Sequence, residues 1–258
     1  MTHTGFEPHG LTKKVTRLYP PPAREIPAEA IYEDLELPPK ERQDRSRPYV
    51  LINMVSSLDG KVAIEGKASR IGSGIDRRAM RILRSKADAV MIGAGTLRAE
   101  KLALGLDDPA GARQTLAVII SSTANVPVAE NLISHEHQSV LLITTRHVPD
   151  DRSFESTLRA PATPSGEVDL DEALKLLKAE YAVEVLLVEG GPRLNHALIS
   201  QDLVNELFLT LAPRLLGGPS EEILTILDGP VLAPRDANLL CAHLVGDELF
   251  LRYGIGGR

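Results

Sequence analysis

The sequence feature that most constrains the fold is the apolar run Val185 to Val188, which is followed at once by Glu189, Gly190, Gly191 and Pro192. The run has the length of a buried strand, and the next apolar residues recur at helical spacing: Leu194, Ala197, Leu198 and Ile199. Proline fits the first turn of a helix, where no N–H group is needed. The pattern therefore predicts a strand, a glycine turn and the start of a helix.

Two glycines at such a junction let backbone N–H groups approach a ligand without a Cβ in the way. The partial positive charge at a helix N-terminus acts in the same direction, so the junction suits a phosphate or pyrophosphate group. The same spacing is also typical of an ordinary tight connection between a strand and a helix. The choice between these two interpretations depends on the rest of the chain.

Composition excludes several classes of function. The 258 residues carry a formal net charge of −6 with Lys and Arg mixed among Asp and Glu, so no basic stripe follows a nucleic-acid backbone. No apolar run approaches the roughly 20 residues that span a bilayer. Cys241 is the single cysteine, and the histidines are scattered except for His135 and His137, which lie in a segment without cysteine. We therefore expect a soluble, cytoplasmic protein without a metal, a nucleic-acid partner or a membrane anchor.

Proline sets the first 47 residues apart from the rest. Residues 1–47 contain the run Pro20-Pro21-Pro22 and the pair Pro38-Pro39, a composition that resists regular structure. We interpret them as an extended arm, with a short helix at Ala28 to Leu37, and residues 48–258 as one domain. Apolar side chains in the arm predict that it packs against the core or a partner subunit: Leu18, Tyr19, Ile31, Tyr32, Leu35 and Leu37.

From residue 48 onward, short apolar strands alternate with helices. The predicted strands are Tyr49 to Met54, Ala89 to Ile92, Leu116 to Ile120, Val140 to Ile143, Val185 to Val188 and Glu206 to Leu211. The predicted helices include Asp76 to Lys86, capped by Asp76, and Asp169 to Tyr181, whereas Pro149 to Val168 is predicted to be irregular. Leu239 to Val245 and Glu248 to Tyr253 predict an antiparallel hairpin. The chain is thus predicted to be α/β, with a mostly parallel central sheet flanked by helices and a C-terminal antiparallel hairpin.

Small or polar residues follow three of these strands: Gly93-Ala94-Gly95-Thr96, Thr144-Thr145-Arg146 and Glu189-Gly190-Gly191. Because ligands of open α/β sheets bind outside the carboxyl ends of the strands, we expect the three loops to line one cleft that fits a dinucleotide. The G-x-G-x-x-G fingerprint is incomplete, since Arg98 stands at the third glycine position. Arg146 either meets a 2′-phosphate, which would favour NADPH over NADH, or is a solvated surface residue.

Three ionisable residues lie nearest to the predicted strand ends: Asp59, Lys61 and Glu189. A carboxylate and an ammonium group beside a cofactor can hold a polar substrate and transfer a proton, and Lys61 suits a substrate phosphate. Alternatively, Asp59 and Lys61 are a solvated pair in the turn of a hairpin.

Two motifs lie in the first half of the chain: Asn53-Met54-Val55-Ser56-Ser57-Leu58-Asp59-Gly60-Lys61 and Ile92-Gly93-Ala94-Gly95-Thr96. Two more follow: Val188-Glu189-Gly190-Gly191-Pro192 with Leu194, and Leu203-Val204-Asn205-Glu206-Leu207 leading to Ala212-Pro213-Arg214-Leu215-Leu216-Gly217-Gly218. In this order, the four motifs resemble those of the riboflavin-biosynthesis pyrimidine reductases. The resemblance covers about residues 48–253. It is to the reductase domain of the bifunctional deaminase/reductase, whose fold is like that of dihydrofolate reductase.

The resemblance implies an NADPH-dependent reduction that opens the ribose of a ribosylamino-pyrimidine 5′-phosphate to a ribitylamino chain, with hydride transfer to C1′. It also implies a homodimer. Three residues are implied to be catalytic: Asp59, Lys61 and Glu189. The residues implied to bind substrate are Asn53, Lys61, Arg84 and Glu189. The residues implied to bind the cofactor are Gly93, Gly95, Thr96, Gly190, Gly191, Pro192 and Leu194, and the position of Thr144 and Arg146 after a strand adds these two.

Two substrate motifs of the family differ in this chain. Arg70-Ile71-Gly72-Ser73 stands where the family has W-I-T-[SG], and Glu100-Lys101-Leu102 stands where it has an Asn-Pro pair. A reductase of the same fold with another pterin, imine or carbonyl substrate is therefore an alternative, as is a protein that binds NADP(H) without turnover. The zinc deaminase half cannot be built from one cysteine.

Overall fold

The computed structural model describes residues 14–40, 45–64, 70–99, 115–126, 139–148, 154, 156–218 and 224–256. Within these ranges the chain forms one eleven-stranded sheet. Its strands are β1 (Val15–Tyr19), β2 (Arg24–Ile26), β3 (Tyr49–Ser57), β4 (Ala89–Gly93), β5 (Leu116–Ile120), β6 (Val140–Thr145), β7 (Ser156–Ala160), β8 (Val185–Val188), β9 (Glu206–Ala212), β10 (Ala237–Val245) and β11 (Glu248–Ile255). The helices are α1 (Gly74–Lys86), α2 (Ala94–Ala99), α3 (Leu170–Tyr181) and α4 (Pro192–Ser200).

The sheet has the order β2-β1-β10-β11-β9-β3-β8-β4-β5-β6-β7. All neighbours from β9 across to β7 are parallel, and β11, β10, β1 and β2 are antiparallel. The mostly parallel sheet with a C-terminal hairpin is therefore confirmed. Because β8 lies between β3 and β4, the strand order reverses there, and such a reversal creates a crevice at the carboxyl ends of the strands.

The two faces of the sheet bury separate apolar cores, since successive residues of a strand point to opposite faces. Leu51 of β3 points to the face that α1 and α2 cover, and Ile52 points to the face that α3 and α4 cover. The first core includes Ala79, Leu83, Leu97, Leu187 and Phe208. The second includes Leu174, Leu177, Leu186, Leu194 and Leu198. We call the face of the sheet that is covered by α1 and α2 the α1 face; it includes the first core and the polar side chains that adjoin this core on the same face.

The predicted cap of α1 was wrong. The helix begins at Gly74, and the hydroxyl of Ser73, the N-cap residue, accepts hydrogen bonds from the N–H groups of Ile75 and Asp76. A cap must stand outside the helix with extended backbone, as Ser73 does. Asp76 is thereby placed in the first turn of α1, with its side chain free of a capping role.

Three other predicted boundaries differ from the structure. β3 continues past Met54 because β9 pairs with it as far as Ser57, which lies opposite Ala212. β7 lies in the segment that was predicted to be irregular; it is an edge strand, whose partial exposure leaves no continuous apolar run. The predicted glycine loop after β4 is a helix, α2, which begins directly at Ala94. The segments containing Glu100-Lys101-Leu102, and His135 with His137, lie outside the described residues.

The arm contains regular structure that the proline content did not predict. β1 pairs with β10 and with β2, so the arm extends the sheet, and the predicted helix is reduced to a 3-10 turn at Ala28–Ala30. Tyr32 is buried, with its ring edge-on to Phe208 and to His243 at centroid distances of 5.1 and 5.6 Å. The arm thus packs against the core of its own chain. Division of the chain at residue 47 stays a prediction.

No helix within the described residues combines the length and the apolar character needed to cross a membrane.

Candidate active site

The two glycine junctions meet at the carboxyl edge of the sheet. The N–H of Gly93, at the end of β4, donates to the carbonyl oxygen of Gly190 over 3.0 Å. The N–H of Glu189 donates to the carbonyl oxygen of Met91 over 3.0 Å. β4 and β8 are neighbours, and α2 and α4 begin directly after them. Two strand-to-helix connections are therefore joined into one crevice at the reversal of strand order.

Close packing at this junction leaves room for backbone and little else. A Cβ on Gly191 would lie 2.7 Å from Thr96 Oγ1, and Gly190 has a φ of +92°, which side chains rarely adopt. Gly191 caps α4 without a side-chain hydrogen bond, so the first N–H groups of that helix have no side-chain cap. Backbone donors at a helix N-terminus are suited to a phosphate group.

The remaining residues predicted to bind cofactor lie at different depths. Pro192 occupies the first turn of α4, and Leu194 packs into the second core. Gly95 lies in α2, where an added Cβ would have only Arg98 within about van der Waals distance, at 4.0 Å. Thr144 and Arg146 lie at the end of β6, two strands from β4, the first buried and the second exposed. Two strand spacings amount to about 10 Å, which an extended dinucleotide spans.

Glu189 and Arg84 hold each other in a buried pair. Arg84 Nε donates to Glu189 Oε1 over 2.7 Å, and Nη2 donates to Oε2 over 2.6 Å. Their side chains are 8% and 6% exposed. Parallel bonds of this kind fix both the position and the orientation of a carboxylate. Asn53 occupies the neighbouring strand on the same face, one residue beyond the pair Ile52 and Val188.

Asp59 anchors a loop. Its carboxylate accepts hydrogen bonds from the Ser57 hydroxyl (2.6 Å) and from the N–H groups of Leu216 (3.2 Å) and Gly217 (2.8 Å). The Ser57 bond, followed by the Gly217 bond, lowers the pKa of Asp59 to about 2. Asp59 is therefore ionised at neutral pH. Lys61 follows in the same turn, and within the described residues its ammonium group has no hydrogen-bond or ion-pair partner.

Sequence reasoning missed a further acid on the α1 face. The carboxylate of Asp76 accepts a hydrogen bond from the Thr210 hydroxyl. Burial, together with the negative charges of Glu248 and Glu189, raises the pKa of Asp76 to about 6 against the opposing effects of Thr210 and Arg77. Asp76 comes just before the apolar residues that recur at helical spacing, which is the position typical of an N-cap, so it was assigned to capping. Only the fold brings Asp76 beside Thr210 and Glu248.

A doubly wound sheet with a glycine-lined crevice at its strand reversal, and buried ionised side chains beside it, is typical of nucleotide-dependent enzymes. The model of the RibD C-terminal domain matches residues 48–243. The chain belongs to this family, which confirms the resemblance.

Two relatives of the chain are named as reductases. The chain is 30% identical over 219 residues to the 2,5-diamino-6-ribosylamino-4(3H)-pyrimidinone 5′-phosphate reductase of Methanothermobacter thermautotrophicus, covering 82% of this chain and 100% of that protein. It is 33% identical over 195 residues to the protein of the same name from Archaeoglobus fulgidus, covering 71% and 87%.

Solved structures show the same fold. Acinetobacter baumannii RibD superposes with a TM-score of 0.69 at 20% identity, covering 83% of this chain and 59% of that chain. The riboflavin biosynthesis reductase Rib7 of Saccharomyces cerevisiae superposes with a TM-score of 0.61 at 18% identity, covering 84% and 93%. The chain thus spans less than two thirds of the Acinetobacter protein and nearly all of the yeast one.

Proposed function

We propose that this protein is an NADPH-dependent reductase that converts a ribosylamino-pyrimidine 5′-phosphate to its ribitylamino form, a step of riboflavin biosynthesis. The observation that carries the proposal is the junction of Gly93 with Gly190 beside the buried Glu189–Arg84 pair. It places backbone donors for a dinucleotide next to fixed charges for a polar substrate, in a family whose named relatives reduce such a pyrimidine.

The cofactor half is proposed to hold NADPH. The N-terminus of α4, which has no side-chain cap, suits the pyrophosphate. Because Gly191 lies against Thr96, a residue without a side chain fits best at this position. Thr144 and Arg146 are proposed to meet the adenosine end, with the exposed guanidinium of Arg146 on the 2′-phosphate. When bound, the nicotinamide supplies the hydride, and the protein supplies position and electrostatics.

The substrate half is proposed to lie on the α1 face and at the turn after β3. Lys61, whose ammonium group has no partner among the described residues, is proposed to bind the substrate phosphate, while Asn53 offers an amide beside Glu189. Arg84 orients the carboxylate of Glu189 through two hydrogen bonds, so Glu189 can hold a substrate hydroxyl or amine in one geometry. Asp59 is proposed to act as a positioning residue through the loop at Leu216 and Gly217.

The test is NADPH oxidation, followed by absorbance, with the aminated and the deaminated ribosylamino-pyrimidine phosphates, beside calorimetric titration with NADPH and NADH. We expect turnover of at least one pyrimidine and tighter binding of NADPH, a preference that Arg146→Ser should reduce. Tight binding without turnover would instead favour a different pterin, imine or carbonyl substrate, the alternative raised by the changed motif at Arg70 to Ser73. Absence of binding would refute the proposal.

A homodimer is proposed from a leucine face on the antiparallel half of the sheet. Opposite the α1 face, strands β9, β10 and β11 place five half-buried leucines side by side, none of them in either core: Leu209, Leu211, Leu244, Leu249 and Leu251. A contiguous apolar face of this kind marks a protein interface. Light scattering should give twice the 27.9 kDa chain mass. Leu209→Glu should give the monomer, and the fully exposed Val231→Glu should change nothing.

A further inference from the structure

The α1 face contains three carboxylates near the proposed substrate, and two of them are each held by two hydrogen bonds from a single residue. Both oxygens of Glu189 accept from Arg84, and both oxygens of Glu248 accept from the backbone N–H and hydroxyl of Ser73. Asp76 differs, because Thr210 is the one hydrogen-bond donor that the described residues give it. A carboxylate has about four acceptor sites, so Asp76 retains capacity for a ligand.

The placement of Asp76 directs that capacity toward the proposed substrate site. Thr210 lies on β9 opposite Val55, two residues beyond the pair of Phe208 with Asn53. Asp76 therefore stands at the carboxyl end of the strands, on the same face as Asn53 and Glu189. The missing side chain of Gly72 makes room for it, since a Cβ there would lie 2.1 Å from Asp76 Oδ2.

We propose that Asp76 binds the amidine edge of the substrate ring and thereby selects a 2-amino-4-oxo-pyrimidine over the 2,4-dioxo ring. This inference rests on the proposed function. The 2-amino ring presents two neighbouring donors, N3–H and the 2-amino group, which match the two oxygens of a carboxylate. The dioxo ring presents N3–H beside the O2 acceptor, and O2 is repelled by an ionised carboxylate.

The surroundings of Asp76 set the pH range of this selection. The negative charges of Glu248, on β11, and Glu189, in the turn after β8, disfavour ionisation of Asp76. Arg77 on α1 and Thr210 on β9 favour its ionisation. Arg84 partly neutralises the charge of Glu189. With a pKa of about 6, Asp76 is mainly ionised at neutral pH and gains an O–H donor below it. The protonated acid can donate to O2, so the preference should weaken in mildly acidic solution.

The experiment compares kcat/KM for the two ribosylamino-pyrimidine phosphates with the wild-type protein, Asp76→Asn and Asp171→Asn. We expect the wild type to prefer the aminated ring by about tenfold or more, and Asp76→Asn to remove most of that ratio because an amide can also donate to O2. Asp171, in the first turn of α3, is the matched control and should leave the ratio unchanged. NADPH affinity should be the same in all three.

Thr210→Val provides a second variant that keeps the carboxylate and removes its donor, and the ratio should fall severalfold. An equal loss of kcat/KM on both rings, or an unchanged ratio in Asp76→Asn, would overturn the inference while leaving the proposed function intact. Failure of the wild-type protein to turn over either ring would overturn both. Restoration of the ratio in the wild type as pH rises from about 5 to about 7.5 would support the inference.

Discussion

The two halves of the proposed site are built from different parts of the polypeptide. The cofactor half consists of backbone at the ends of β4 and β8, where Gly93 and Gly190 are bonded directly to each other. The substrate half consists of side chains from α1, β3, β9, β11 and the turns after β3 and β8, several of them held by hydrogen bonds to carboxylates. The first half should therefore be sensitive to added volume, and the second to lost charge.

The largest effect is expected from Gly191→Val. Even the first carbon of a side chain would lie 2.7 Å from Thr96 Oγ1, so Thr96 or the start of α4 must shift, and a full valine side chain adds further volume beside the backbone donors. NADPH affinity should fall by about 100-fold or more, measured by calorimetry. Gly74→Ala is the matched control, because its Cβ would have only Arg77 Nη2 nearby, at 3.9 Å. Unchanged NADPH affinity in Gly191→Val would place the cofactor elsewhere.

Glu189→Gln tests the substrate half by removing charge at constant volume. We expect kcat to fall by about 100-fold while NADPH affinity stays near wild type, since Glu189 faces the substrate side. The chain offers a matched control in Glu206, whose carboxylate is also buried and also held by two bonds from one arginine, Arg252, at 2.7 Å each. Glu206→Gln should lose stability without a comparable loss of kcat.

If both variants lose kcat in proportion to their stability, the Glu189–Arg84 pair is structural and its proposed role is wrong. Breaking a buried ion pair typically costs about 3–5 kcal/mol, so denaturation must be measured beside turnover.

This division also explains what the sequence could predict. The junction from Val185 to Pro192 was predicted because its strand, turn and helix start are consecutive in the chain, and so was the mostly parallel sheet. The bond between Gly93 and Gly190 joins residues far apart in sequence and depends on β8 inserting between β3 and β4. Periodicity carries no information on that insertion.

The substrate half was less accessible to sequence reasoning for a related reason. Arg84 and Glu189 are 105 positions apart; Glu189 was singled out by its place after a predicted strand, but Arg84 was predicted only through family resemblance. Asp76 was assigned to helix capping because its pattern fits local backbone chemistry, and its distant partners Thr210 and Glu248 are not visible in a linear pattern. Strand β1 was missed because proline-rich flanks conceal a short strand that pairing with β2 and β10 stabilises.

Asp76→Asn should change stability in a pH-dependent way. Folding raises the pKa of Asp76 to about 6, so between about pH 4 and pH 6 the folded chain binds more protons than the unfolded chain. The contribution of Asp76 to the free energy of unfolding of the wild type is therefore complete below about pH 4 and is lost as the pH rises through about 6. At about pH 7.5, Asp76→Asn should be more stable by about 2 kcal/mol in urea denaturation, with little difference near pH 4. Lower stability at neutral pH would contradict burial of the charge.

The smallest effect is expected from Asp59→Asn. An amide has one acceptor oxygen, so it cannot accept from Ser57, Leu216 and Gly217 together, and the loop that these bonds hold should loosen. Substrate KM should rise by about tenfold with kcat nearly unchanged, as expected for lost positioning. Asp247→Asn, in the exposed turn between β10 and β11, is the control.

The pH profile decides between positioning and proton transfer at Asp59. Because folding lowers the pKa of Asp59 to about 2, its contribution to stability is complete above about pH 4 and is lost only as pH falls toward 2. The ratio of wild-type to Asp59→Asn activity should therefore be constant from about pH 5 to pH 9. A rise or fall of that ratio with pH in this range would mean that Asp59 exchanges a proton during turnover. Proton transfer would then be the main role of Asp59, and positioning of the loop a secondary one.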